Sequence, residues 1–186
     1  MQEVDNVLRI LQETRDSFKS RDSANLKKLS DQTINTASRT QDADNISVAV
    51  IIYSLGKILE RERYQTYPGW KEFDKTIISS FDLAIKNLKK GDEEGARKDL
   101  EEIRRVIGKL SGKLRKNIKE VFRRAQISKA SRLYEHGVSM ERTAKLLGIT
   151  MWELADYAGE TGISDAKEGR TISAKERIKM AEKFFG

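Results

Sequence analysis

Positively charged side chains are concentrated in one stretch of this 186-residue chain. Residues 104–132 contain 11 Lys and Arg residues and one acidic residue, Glu120, while the whole chain has a net charge of only +7. The basic residues are Arg104, Arg105, Lys109, Lys113, Arg115, Lys116, Lys119, Arg123, Arg124, Lys129 and Arg132. Because uncompensated like charges cost folding free energy, this stretch predicts a polyanionic partner such as a nucleic acid.

Side chains that would support catalysis are scarce. The chain has no Cys and a single His, His136, which excludes thiol nucleophiles, cysteine-ligated zinc and the HExxH zinc motif. The segment 108–113 is similar to a phosphate-binding loop, but it has three residues instead of four before its Gly-Lys pair. Arg132 and His136 are closer together than the Arg and His of HEPN-type ribonucleases. We therefore predict no enzymatic activity, no metal and no cofactor.

Apolar residues recur at spacings of three and four along most of the chain, which predicts helices. The pattern gives a helix over 4–18, a second helix that ends before a polar loop at 38–42, and a clear amphipathic helix from residue 70 to Gly91. The β-branched residues between 46 and 52 could also form a strand. They continue into a helical pattern without a turn signal, so we predict a buried helix.

A further helical pattern runs from residue 94 to residue 135. Without a break, this helix would be about 63 Å long, which exceeds the width of a small domain. Gly108 and Gly112 each cost about 1 kcal/mol inside a helix. We therefore expect a kink or a break between these two glycines.

Residues 125–160 have the pattern of three short helices joined by tight turns. Gly137 ends the first helix, Ser139 is a cap for the second, which stops at Gly148, and Thr150 is a cap for the third. Gly148 tolerates the positive φ that a sharp turn requires. This spacing predicts a helix-turn-helix unit.

The same segment carries a family resemblance. The residues concerned are Ala130, Leu133, Tyr134, Gly137, Ser139, Ala144, Leu147, Gly148, Ile149, Thr150, Trp152 and Glu153. Through them, residues 127–162 resemble the small helix-turn-helix antitoxins that accompany PIN-type ribonuclease toxins. The resemblance implies a DNA-binding autoregulator that holds a toxin-like protein through its C-terminal tail. The tail contains a capping box at 173–176 and then an apolar helical face, which would cover either such a partner or the protein's own domain.

The expected nucleic-acid contacts are cations near the helix-turn-helix unit and the first residues of its third helix. They are Lys116, Lys119, Arg123, Arg124, Lys129, Arg132, Arg142, Lys145, Thr150, Met151 and Trp152. The third helix has three acids and no Lys, Arg, Asn or Gln, which weakens direct readout of base edges. Thr150 and Glu153 also fit a capping box. Trp152 is either a wedge against a partner or a partly buried core residue.

Together these patterns predict an all-α protein with four parts. They are an N-terminal helical bundle at 1–103, a basic connecting helix at 104–124, the helix-turn-helix unit at 125–162 and a tail with a short amphipathic helix at 163–186. The bundle would supply a homodimer interface, which would place two units on neighbouring major grooves.

The predicted function is non-catalytic binding of nucleic acid, DNA in preference to RNA, as a helix-turn-helix transcriptional regulator or an antitoxin-like repressor. The alternative is a protein-interaction or RNA-binding module that uses the acidic third helix, the tail and the long basic helix. No apolar run is long enough for a membrane span and no leader-like segment opens the chain, so we expect a cytoplasmic protein without membrane contact.

Overall fold

The computed structural model describes residues 1–109 and 112–160. Within these two ranges there are eight α-helices, one short 3-10 helix at Glu62–Thr66 and no strand, which confirms the all-α class. The α-helices are α1 (Val4–Lys19), α2 (Ser23–Thr40), α3 (Ala43–Leu59), α4 (Trp70–Lys89), α5 (Glu93–Lys109), α6 (Gly112–Glu135), α7 (Met140–Leu147) and α8 (Met151–Glu160). The predicted tail at 163–186 lies outside the described residues.

Helices α1 to α5 and the first half of α6 share one apolar core, which we call the first core. Phe18, Ile52 and Phe81 are completely or almost completely buried in it, and α6 contributes Leu114 and Ile118. These apolar faces are the ones that the helical spacing predicts. The predicted boundary after residue 103 lies inside α5, so the first core extends into the basic segment.

A second core joins the end of α6 to α7 and α8. It also contains residues of the N-terminal half of the chain. Its members are Ile34, Ala37, Ile46, Ala49, Val50, Ala125, Ala130, Leu133, Val138, Ala144, Leu147, Ile149 and Leu154. Residues 125–160 therefore fold against α2 and α3, and do not enclose a core by themselves.

Helix α3 contributes to both cores, which explains its unusual sequence. Ile52 and Leu55 lie in the first core, whereas Ile46 and Val50 lie in the second. A helix that is covered on nearly all sides is apolar on nearly all sides. The β-branched segment is thus a buried helix, as predicted.

The backbone departs from the right-handed helical conformation at Gly112, within the segment where a kink or a break is predicted. Helix α5 ends at Lys109, and α6 begins at Gly112, whose φ is +57°. Glycine adopts this conformation without the steric cost that a Cβ would add. The 24 residues of α6 span about 36 Å, enough to reach from the first core to the second.

The predicted polar loop at 38–42 is shorter in the structure, because α2 continues to Thr40. The Ser38 hydroxyl donates to the carbonyl of Asn35 at 2.8 Å, and the Thr40 hydroxyl donates to that of Thr36 at 3.2 Å. Such bonds to the preceding turn let hydroxyl residues remain helical. The chain leaves the helix only at Gln41, which has a φ of +51°.

Candidate nucleic-acid interface

Three cations lie along one side of α6. Lys116, Lys119 and Arg123 fall within about 60° of one another around the helix, because successive residues are separated by about 100°. Leu114 and Ile118, which face the first core, lie on the opposite side. We call Lys116, Lys119 and Arg123 the cationic stripe.

The two lysines of the cationic stripe are exposed, and neither has an ion pair with a described residue. Lys113 and Arg115 flank them and are also exposed and unpaired within the described part of the chain. The sequence prediction omitted these two residues from the contacts, although they belong to the same basic stretch. The first half of α6 therefore presents four exposed cations that form no ion pair with a described residue, while its carboxylate, Glu120, pairs with Arg124.

The cationic stripe ends at the beginning of α8. Arg123 donates a hydrogen bond to Glu153, in the first turn of α8. One turn further along the same side of α6, the Gln126 side chain donates to the carbonyl of Leu147, the last residue of α7, at 3.2 Å. Ala130, on this side again, is buried in the second core. Helices α7 and α8 thus cover one half of this side of α6, and the cationic stripe occupies the other half.

The first turn of α8 is closed by the predicted capping box. The Thr150 hydroxyl accepts from the backbone N–H of Glu153 at 3.2 Å, and Glu153 accepts from the N–H and the hydroxyl of Thr150 at 2.9 and 2.8 Å. The backbone hydrogen bond from Thr150, followed by that from Arg123, lowers the pKa of Glu153 to about 2. The Thr150 side chain is therefore engaged in capping.

Met151 and Trp152 project from the beginning of α8. Met151 is 50% exposed and Trp152 is 80% exposed with respect to the described residues. The structure therefore excludes a core role for Trp152 within the described residues. Arg123, the last residue of the cationic stripe, thus reaches the same helix end from which Met151 and Trp152 project.

Lys129 lies in the interior and cannot be part of this surface. It is 2% exposed, its Nζ donates to Asp31 at 2.8 Å, and the same atom lies 4.4 Å from the centre of the Tyr53 ring. Burial lowers the pKa of Lys129, and the hydrogen bond with Asp31 opposes this effect. Lys129 was predicted from the sequence to contact a phosphate. Because α6 packs against both α2 and α3, its side chain is instead enclosed between these helices.

The remaining predicted cations are dispersed. Arg124 and Arg132 are exposed and pair with Glu120 and Glu135 at 2.6 and 3.1 Å, on sides of α6 about 100° and 180° away from Arg123. Surface pairs of this kind are weak. Arg142 and Lys145 are exposed on α7, without an ion pair among the described residues. The structure thus joins the cationic stripe, through Arg123, to the helix end that carries Met151 and Trp152, and it places Arg124 and Arg132 on other sides of α6.

No protein-family model, curated protein or solved structure matches the chain. In the described ranges, no three His, Asp or Glu side chains are grouped in a way that would hold a metal ion. None of the helices described above combines the length and the apolar character of a membrane span.

Proposed function

We propose that the protein binds double-stranded nucleic acid, and DNA in preference to RNA, through the cationic stripe and the first turn of α8. The observation that carries this proposal is the row of exposed cations that leads to the N-terminal end of α8. In helix-turn-helix proteins the N-terminal residues of the second helix of the motif contact bases, while neighbouring elements contact phosphates. Helices α7 and α8, joined at Gly148, would be that motif here.

The dimensions of the cationic stripe suit a phosphate backbone. Lys116 and Arg123 are about 10 Å apart along α6. This length equals about three of the steps, roughly 3.4 Å each, by which successive phosphates of one strand advance along the duplex axis. Arg142 and Lys145 on α7 would contact phosphate beside the groove that α8 enters.

The composition of α8 determines the kind of recognition. Its first turn offers Met151 and Trp152, which can contact a thymine methyl group or a base, and it offers no amide or guanidinium group for a base edge. Binding would then depend mainly on phosphate neutralisation, with modest sequence preference. The resemblance to antitoxins supports a repressor that regulates its own gene, with a toxin-like partner held by the tail and a homodimer formed through the N-terminal helices.

The test is the salt dependence of binding. Fluorescence anisotropy of the full chain would be measured with a random DNA duplex and with a structured RNA of similar charge, between about 50 and 200 mM salt. The double variant K116Q/K119Q should lower the slope of log K against log salt by about 1 for each phosphate that is no longer neutralised, and so by about 2 in total.

The matched control is K86Q/K89Q on α4. These lysines have the same spacing, are exposed and have no ion pair among the described residues. The control should bind like the unmodified protein. An equal decrease in both double variants would contradict the proposed surface, and tighter binding to RNA at equal salt would contradict the choice of DNA.

A protein-interaction function is the second candidate, and the exposed pair Met151 and Trp152 is the observation that favours it. Exposed apolar side chains that adjoin charged residues are typical of protein contact sites. Absence of binding to both nucleic acids at low salt would favour this candidate.

A further inference from the structure

A cleft lies between α3, α6 and α8, on a side of α6 different from that of the cationic stripe. It has a volume of about 370 Å³. Small-molecule sites have volumes of about 300–1,000 Å³. Its polar and aromatic lining consists of Tyr53, Lys57, Glu60, Arg61, Arg124, Ser128 and Tyr157.

The cleft has an excess of positive charge. Lys57, Arg61 and Arg124 line it together with one carboxylate, that of Glu60, which binds Lys57 at 2.8 Å. Arg124 pairs with Glu120, outside the lining, at 2.6 Å. Arg61 has no ion pair with any described residue. An anionic group that entered the cleft would therefore meet a guanidinium with unused hydrogen-bonding capacity.

Arg61 supplies a second, independent observation. Its Nη1 atom is buried and has no hydrogen bond to the described residues. Buried polar groups are nearly always hydrogen-bonded, since a buried donor without a partner destabilises the fold, most of all when it is charged. Arg61, which lines the cleft, is thus a charged side chain whose hydrogen-bonding capacity is not used by the described residues, and carboxylates and phosphates are the acceptors that fit a guanidinium best.

The remainder of the lining is suited to a flat apolar body. Tyr53 and Tyr157 contribute aromatic rings, and Val121, Ala125 and Ile127 contribute aliphatic surface. Aromatic rings pack favourably against such surfaces. A ligand that carries an anionic group on an aromatic ring system could bind both the cationic and the apolar side chains of the cleft.

We propose that this cleft binds a small aromatic anion of the nucleoside monophosphate type, with its phosphate at Arg61 and its base between the tyrosines. The site is independent of the proposed nucleic-acid surface, because none of its lining residues belongs to the cationic stripe. A ligand there would contact the bundle through α3 and the C-terminal helices through α6 and α8.

The experiment is isothermal titration of the full chain with AMP, adenosine, ribose 5-phosphate and benzoate. AMP should bind with one site per chain. Adenosine, which lacks the anion, and ribose 5-phosphate, which lacks the ring, should each bind at least tenfold more weakly. Benzoate carries a carboxylate on an aromatic ring, whereas AMP carries a phosphate. Tighter binding of benzoate than of AMP would overturn the assignment to a nucleotide.

R61Q should weaken AMP binding at least tenfold. The matched control is R63Q, because the Arg63 guanidinium lies over the same Tyr64 ring, at 5.8 Å against 5.7 Å for Arg61, but does not line the cleft. Ser128→Leu, which would fill the cleft and leave Arg61 in place, should also abolish binding. K116Q/K119Q should bind AMP normally. Failure of AMP to bind, or an equal decrease in R61Q and R63Q, would overturn the proposal.

Discussion

Glu153 joins two helices through a single carboxylate. It accepts hydrogen bonds from Thr150 within the first turn of α8, and it holds Arg123 of α6. The negative charge of Glu153 offsets the positive charge of Arg123. The net positive charge of the cationic stripe therefore resides in Lys116 and Lys119. The same bond holds the last residue of the cationic stripe at the first turn of α8, from which Met151 and Trp152 project.

The pKa of Glu153 predicts a specific pH dependence of stability. Its value is about 2 in the folded protein, against 4.5 ordinarily. A carboxylate whose pKa is lowered by folding contributes stability that is fully present above pH 4.5 and is lost as the pH falls toward 2. We therefore expect Glu153→Gln to lower the Tm most above pH 4.5, with the difference from the unmodified protein shrinking toward pH 2.

Thermal unfolding followed by circular dichroism across this pH range would measure the difference. Glu141→Gln is the matched control, since Glu141 is an exposed carboxylate in the first turn of α7 without a hydrogen bond or ion pair to the described residues. It should show no such trend. A Tm difference for Glu153→Gln that stays constant with pH would contradict the expectation.

The sequence revealed single residues only where their partners are close along the chain. Thr150 and Glu153 are three residues apart, and their capping box was predicted correctly. Lys129 binds Asp31, which is 98 residues away, and no local pattern could reveal that partner. The exposure of Trp152 could not be predicted either. Helical spacing shows that a helix face is apolar, but it does not show whether another part of the protein covers that face.

At the scale of helices, the ends were predictable wherever a cap or a left-handed glycine marks them. Ser139 accepts from the N–H of Arg142 at the beginning of α7, and Gly148, with a φ of +62°, ends it. Gly112, with a φ of +57°, belongs to the same class. The end of α2 was predicted too early. Its hydroxyl side chains donate hydrogen bonds to the preceding turn, and the residue types alone do not show whether such residues are helical or form a loop.

The turn between α7 and α8 should depend on the backbone of Gly148 alone. A Cβ built at this position meets no heavy atom within 4 Å, so packing would not oppose a larger residue. The left-handed conformation costs an ordinary L-residue about 1–2 kcal/mol. Gly148→Ala should therefore lower the free energy of unfolding by about this amount.

Gly148→Asn provides the comparison, because Asn tolerates the left-handed region better than Ala. Denaturant unfolding of both variants would measure the two costs, with an unchanged m-value as evidence that the compactness of the denatured state has not changed. A destabilisation by Asn as large as that by Ala would indicate that the turn is limited by something other than backbone conformation.

At the scale of the whole molecule, α3 and α6 connect the two cores, and this connection was not predictable from the sequence. The sequence suggested that residues 125–162 form a separate unit, since the three helices and their turns are complete within that segment. The apolar residues of α2 and α3 that complete the second core lie about 75–120 residues earlier in the chain. Their helical pattern shows that they are buried, but it cannot specify which helix buries them.

The shared second core predicts that the C-terminal helices cannot fold alone. A fragment of residues 112–160 would be without the packing partners Ile34, Ala37, Ile46, Ala49 and Val50. Burial of one of the larger apolar side chains stabilises a fold by about 1.5–3 kcal/mol, and the fragment would lack this contribution at each missing position. A chain of about 50 residues is marginally stable even with a complete core. We expect the fragment to show low helix content by circular dichroism and no cooperative thermal transition.

The full chain, measured in the same buffer, should unfold cooperatively. Within the full chain, Ile46→Ala should lower the free energy of unfolding by about 2–5 kcal/mol and should increase hydrogen exchange in α7 and α8, because Ile46 packs in the second core with residues of both helices. A cooperative transition in the isolated fragment would mean that residues 112–160 are an independent domain. The packing of α6 to α8 on α2 and α3 would then be a contact between two domains, and α8 could be reoriented relative to α1–α5 without unfolding.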